Sequence, residues 1–452
     1  MADKTHPLEV IDRLTETERT ITTILLKQTQ GARLIDIANS LPGNPSPPTV
    51  SRITRNMIDR GVIAKSGSTR NAQLFLSPEI RKWMTAWRKR PAVRYDPTRI
   101  QNYRPNLDQW LTPEDAARMR SVAAIPENFA GTIPARAAET FLIDLSWASA
   151  TLEGSTYSRL DTENLILYGQ RTQTANPDDT NIILGHKRAI QHILDFAAGG
   201  EPITDSTIRT IHGMLMIGLL GNAALGTTRG FDVSVGGTAY RPASDRKTLD
   251  RGLAEIAYRA NQIEDPAEAS FFLLSSTSYL QAFEDGNKRT GRLLCNIPLL
   301  RAGLPPMSFV DVNKKRYLWG LSSFYEEGDP TLLSNEIANG FSSAAPLYMD
   351  SLNAIAASHI ERKHPQLLRE TVQEAARLLE TQAGNGENVA LQAVKQMELD
   401  NRLNAMNDTE RAALPELVDQ ILNGMTEPQK AIWGIKPATG KTGLKERNTR
   451  PG

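Results

Sequence analysis

This chain has a single cysteine in 452 residues, Cys295. An intramolecular disulfide framework is excluded, and a reducing, cytoplasmic setting is expected. No apolar run approaches the ~18–20 residues of a membrane span. The N-terminus has early charges instead of a hydrophobic signal segment, so neither secretion nor a membrane partner is expected. Charge of one sign is missing too: 52 Lys and Arg face 51 Asp and Glu. Bulk charge therefore gives no argument for nucleic acid, and only local clusters can. Repeats of solenoid period are absent. What remains is a globular composition, 40% hydrophobic, with length for two or three domains.

The most informative stretch is 281–292, Gln-Ala-Phe-Glu-Asp-Gly-Asn-Lys-Arg-Thr-Gly-Arg. An acidic pair, Glu284 and Asp285, leads into Gly286 and Asn287, then Lys288, Arg289 and Arg292, then an apolar run suited to a helix. That is the layout of a phosphate cradle. Backbone N–H groups at a helix N-terminus face the anion, a carboxylate can hold Mg²⁺, and arginines neutralise distal phosphates. The bland alternative is an ordinary acidic turn before a basic helix.

The stretch resembles the signature of the Fic (Fido) family, His-x-Phe-x-Asp/Glu-Gly-Asn-Gly/Lys-Arg-x-x-Arg, at every defining position but the first, which holds Gln281. The resemblance extends over roughly residues 100–340. It implies a mainly α fold, a helical core with a small β-hairpin flap. It implies ATP and Mg²⁺, with AMP passing from ATP to a Ser, Thr or Tyr hydroxyl of a target protein that the sequence does not name. Asp285 would ligate the metal, Phe283 would fix the loop, and Gly286, Asn287, Lys288, Arg289, Gly291 and Arg292 would meet the nucleotide. The segment Val233 to Tyr240, with Gly236 and Gly237 at its turn, looks like the flap that holds the target by strand addition. Ser149-Ala-Thr-Leu-Glu153-Gly154 resembles the family's inhibitory motif. By that resemblance Glu153 would pair with Arg292 and take the donor fork meant for the γ-phosphate.

In the family the missing histidine takes a proton from the target hydroxyl. A glutamine amide has no useful basicity near neutrality. Three readings stay open: nucleotide binding with little or no transfer, transfer by another base, or different chemistry including a sensor role. Glu284 is a substitute base only with a raised pKa. His212, His186 and His192 read better as structural or surface residues, and Cys295 as a core thiol.

Residues 1–80 resemble a winged helix-turn-helix: three helices, then two strands around a polar turn. Arg52 and Arg55 on the third helix, with Lys65 and Arg70 at the wing, are the candidates for double-stranded DNA. Residues 81–135 are a basic and aromatic connector leading into the core, 136–340. Residues 346–435 are a helical extension suited equally to a homo-oligomer or a target contact, and 436–452 read as a disordered tail. The glycines near 434–442 lack P-loop spacing, and His359 and His364 lack helical metal-ligand spacing. The competing function is a DNA-binding regulator that uses an inactive Fic core as a nucleotide sensor or docking module.

Overall fold

The computed structural model describes residues 5–68, 72–122, 135–172, 176–381 and 389–424. It is mainly helical and divides into two units. The first comprises Met1–Ala117, Pro202–Cys295 and Asp311–Gly340; the second comprises Arg118–Glu201, Asn296–Val310 and Phe341–Gly452. Arg70, the P-loop-like stretch and the tail lie outside the described residues.

The first unit begins with a small module. Helix α1 (Glu16–Lys27) opens with a capping box: Glu18 N–H donates to Thr15 Oγ1 and Thr15 N–H to Glu18 Oε2. This satisfies two orphan donors of the first turn. Helices α2 (Leu34–Ser40) and α3 (Pro47–Asp59) follow. Strands β1 (Ala32–Arg33), β2 (Ile63–Ser66) and β3 (Gln73–Leu76) form an antiparallel sheet in the order β1-β3-β2, with Ala32 opposite Leu74 and Ile63 opposite Leu76. Ile21, Leu25, Ile37, Val50, Met57 and Leu74 fill the core of this module. Each such side chain contributes about 1.5–3 kcal/mol by leaving water.

The connector does not run free. Arg81 donates to Leu25 O and Leu26 O and so caps α1. Arg88 stacks on Trp87, and Arg90 lies over Trp83. Arg81 and Arg90 are partly buried in these contacts, whereas Arg88 stays exposed.

The helical core consists of α4 (Asp205–Met216), α5 (Arg246–Ala260), α6 (Pro266–Leu280), α7 (Asn287–Leu294) and α8 (Lys314–Glu327). Every residue of α6 from Ala267 to Leu280 is buried, the mark of a central helix. Small residues allow neighbours to close on it. A Cβ at Gly252 of α5 would meet Leu280 Cδ1 at 2.5 Å, and one at Gly291 of α7 would meet Leu274 O at 2.9 Å. The connector covers another face. Trp110 stacks on Phe272 at 5.0 Å, and Tyr103 approaches the same ring at 4.7 Å. The buried Glu268 carboxylate accepts from Tyr103 Oη, Trp110 N and Leu111 N at 2.8–2.9 Å.

The flap departs from the expected hairpin. The turn falls at Gly236 and Gly237, and Gly237 takes φ +83°, which suits glycine. Yet among the described residues no ladder joins 233–235 to 240–241. Strand β5 (Tyr240–Arg241) pairs instead in parallel with β4 (Val93–Arg94) of the connector. Tyr240 is wholly buried and its hydroxyl donates to Tyr279 O at 2.7 Å. That anchor, placed against α6, fixes β5 where the connector can reach it.

The second unit packs helix Ala135–Glu153 against Pro177–Gly199. A distinct apolar cluster joins Val372, Val394, Met397, Leu414 and Val418 from helices Pro365–Thr381, Val389–Leu399 and Asp408–Gly424. No described helix is long and apolar enough to cross a membrane.

Candidate functional site

The 281–292 stretch forms a tight loop between α6 and α7. Gln281 caps α6 in the left-handed conformation, φ 51° and ψ 48°, uncommon for a residue with a side chain. Its amide Nε2 donates to Ser278 O at 2.7 Å. The Gln281 side chain is therefore tied to the end of α6.

Phe283 is wholly buried and stacks on His212 of α4, with ring centroids 3.8 Å apart and planes 13° off parallel. Asn287 brackets the loop. Phe283 N–H donates to Asn287 Oδ1 at 2.9 Å, and Asn287 Nδ2 donates to Phe283 O at 2.8 Å. In this structure its amide shapes the loop, using its oxygen and one of its two N–H hydrogens on Phe283. Gly286 has φ +76°, and a Cβ there would lie 2.5 Å from Met216 Sδ. Both the turn and the close approach to α4 need glycine at this position.

His212 is structural. Gly226 N–H donates to its Nδ1 at 3.0 Å, so the proton resides on Nε2, which donates to Asp285 O at 3.0 Å. Burial is the main cause that pushes its pKa down to about 4, so the ring is neutral. Both nitrogens are engaged. His186 is also buried, contrary to its polar surroundings in the sequence. Its Nδ1 donates to Ile182 O at 2.7 Å, leaving Nε2 to accept from Ser149 Oγ at 2.7 Å.

The polar groups of the cradle lie at the start of α7. Asp285 is largely exposed; one oxygen accepts from Gly286 N at 2.6 Å and the other from Arg289 Nη2 at 2.6 Å. Arg289 is 5% exposed, and its Nη1 has no hydrogen-bond partner. Lys288 is half-buried and Glu284 exposed. Arg292 is wholly buried, with Nη1 3.5 Å from Tyr317 Oη. Gly291 packs closely on α6, where an added Cβ would lie 2.9 Å from Leu274 O.

Two residues with no local signal in the sequence shape the flap. Arg229, in the loop after α4, donates to Gln281 O. Glu326 of α8 accepts from Thr238 Oγ1 at 2.7 Å and Ala239 N at 2.9 Å through one oxygen. Its other oxygen lies 3.0 Å from Arg90 Nη1, an ion pair by distance whose hydrogen is not aligned.

Of the remaining candidates, Ser149, Glu153 and Gly154 belong to the second unit, where Gly154 ends the Ala135–Glu153 helix at φ +106°. Arg52, Arg55 and Lys65 are exposed in the N-terminal module.

Residues 202–299 match the model of the Fic/DOC family. The chain carries a Fic/DOC family domain. The cradle, the α4 contacts and the flap all fall inside the matched residues. Among curated proteins, the chain is 26% identical over 285 residues to the protein adenylyltransferase Fic of Drosophila erecta, covering 62% of this chain and 55% of that one. It is 26% identical over 250 residues to the protein of the same name from Aedes aegypti, covering 54% and 48%. The chain thus spans about half the length of the curated relatives it matches. Among solved structures, Fic-1 of C. elegans aligns with TM-score 0.43 at 20% identity, covering 52% of this chain and 72% of that one. A Fic family protein from Desulfovibrio desulfuricans G20 aligns with TM-score 0.44 at 18% identity, covering 72% and 96%.

Proposed function

We propose that the chain is a Fic-type nucleotidyltransferase scaffold that binds Mg-ATP at 285–292, with AMP transfer to protein hydroxyls reduced or lost through Gln281. The observation that carries this reading is Arg289. A buried guanidinium nitrogen without a partner is costly, and at a helix N-terminus it is suited to a phosphate oxygen. Asp285, exposed at the mouth, would hold Mg²⁺, which would neutralise charge on the phosphates. Its carboxylate would then exchange part of its contact with Arg289 for the metal.

Transfer requires the target hydroxyl to lose its proton as its oxygen bonds to the α-phosphorus and pyrophosphate leaves. Gln281 cannot take that proton, and losing a general base costs ~10²–10⁴-fold in rate. The anion-stabilising groups remain. Glu153 is the proposed brake: a carboxylate on Arg292 would hold the fork that should meet the γ-phosphate.

Calorimetric titration of the full chain with Mg-ATP tests the reading. Binding that is lost in Arg289→Ala supports it; no binding by the chain or by Glu153→Gly sinks it. Labelled-ATP transfer in a Gln281→His, Glu153→Gly variant should exceed that of the chain itself.

A second reading, a DNA-binding regulator, draws on Arg52, Arg55 and Lys65. They are exposed, and no hydrogen bond or ion pair among the described residues engages them. The reading requires a duplex-DNA mobility shift that is abolished in an Arg52→Ala, Arg55→Ala variant.

A further inference from the structure

Arg229 is 3% exposed. Its Nε donates to Gln281 O at 2.9 Å, its Nη1 to Phe231 O at 2.5 Å and its Nη2 to Ala243 O at 2.5 Å. Its backbone N–H donates to Ala282 O at 3.1 Å. No carboxylate among the described residues pairs with it; Asp232 acts only through space. A buried cation held by carbonyls alone is expensive unless those carbonyls concentrate negative charge. Gln281 supplies that condition, because it caps the C-terminal, negative end of α6.

The choice of carbonyls is informative. Phe231 and Ala243 stand at the two ends of the flap. Gln281 stands at the position where the family carries its base, in a backbone conformation that aims its carbonyl at Arg229. One planar fork therefore sets the spacing of the flap's ends and joins both to residue 281. A lysine at 229 could satisfy one of these carbonyls but not the three-way geometry.

We propose that Arg229 is a positioning residue that ties both ends of the flap to the backbone of residue 281, so that a protein strand lying along the flap is presented in register with that position. The proposal rests on the protein-modifying reading of the site; the clamp itself rests on the contacts above.

Hydrogen–deuterium exchange on the full chain tests it, using Arg229→Lys and Arg229→Ala. Exchange at 231–243 and at 281–283 should rise together, by about tenfold, while α4 and α7 stay protected. Millimolar guanidinium should restore both segments in Arg229→Ala and neither in Arg229→Lys, where the lysine fills the slot. Mg-ATP affinity should change by less than about threefold in Arg229→Lys if the chain binds nucleotide. The proposal is overturned if only one segment loosens, if α4 and α7 loosen equally, or if guanidinium restores neither segment. A chain that fails to bind Mg-ATP would sink the nucleotide reading, yet the exchange result would still decide the clamp.

Discussion

Asn287→Ala separates two roles for one amide. In the structure both of its polar atoms bind the backbone of Phe283, at 2.9 and 2.8 Å, in a buried setting. Truncation would leave the Phe283 N–H and C=O without partners. Each orphan costs about 1–3 kcal/mol, and a loop able to relax recovers part of that, so a loss of about 2–4 kcal/mol is expected. If that cost falls on the cradle-forming conformation, Mg-ATP affinity should drop roughly thirtyfold to a thousandfold with it. Urea unfolding gives the stability, and calorimetric titration the affinity. Asn287→Asp keeps the acceptor for Phe283 N–H and loses the donor, so it should fall between the two. The reasoning fails if Asn287→Ala unfolds with the midpoint of the unaltered chain while nucleotide binding disappears. That pattern would make the amide a direct phosphate ligand.

Glu327 on α8 accepts from Lys82 and faces His6, and these partners, His6 first, hold its carboxyl down to about 2 against the effect of burial. Its folded pKa lies below the unfolded one, so its contribution is complete above the unfolded value of about 4.5 and is lost as pH falls toward about 2. With a third of the side chain exposed, the contribution is about 1–2 kcal/mol after screening; Glu327→Gln should flatten the acid limb of the urea midpoint in that window, and an unchanged limb would refute the pairing. Cys295 is fully buried, and burial pushes its thiol up to about 12. A thiol-specific reagent at mildly alkaline pH should leave it unmodified until the chain is unfolded; rapid labelling of the folded chain would contradict that burial.

Local signals in the sequence were reliable where one turn carries its own chemistry. Thr15 and Glu18 sit at capping-box spacing and form both bonds. Gly286 stands between Asp285 and Asn287, and only glycine fits its φ and its approach to Met216. The turn at Gly236 and Gly237 was legible for the same reason, but the partner of the strand after it was not. Val93–Arg94 and Tyr240–Arg241 are two residues each, too short to show alternation, and the pairing is a tertiary outcome. The burial of His186 depends on Ser149 from another helix. Arg229 was equally silent, since its three acceptors lie 2, 14 and 52 residues away and are all backbone atoms. Backbone acceptors leave no trace in residue identity.

The way the connector covers α6 bears on how this domain could be cut out and moved. The matched stretch, 202–299, looks like a cassette with clean ends. Its central helix would nonetheless lose Trp110 and Tyr103 from the Phe272 ring, and Glu268 would lose all three of its donors at once. Excised at its family borders, the piece would carry a bare aromatic face and a stranded carboxylate. The transplantable cassette must therefore begin before Tyr103, so its structural border lies about a hundred residues upstream of its family border.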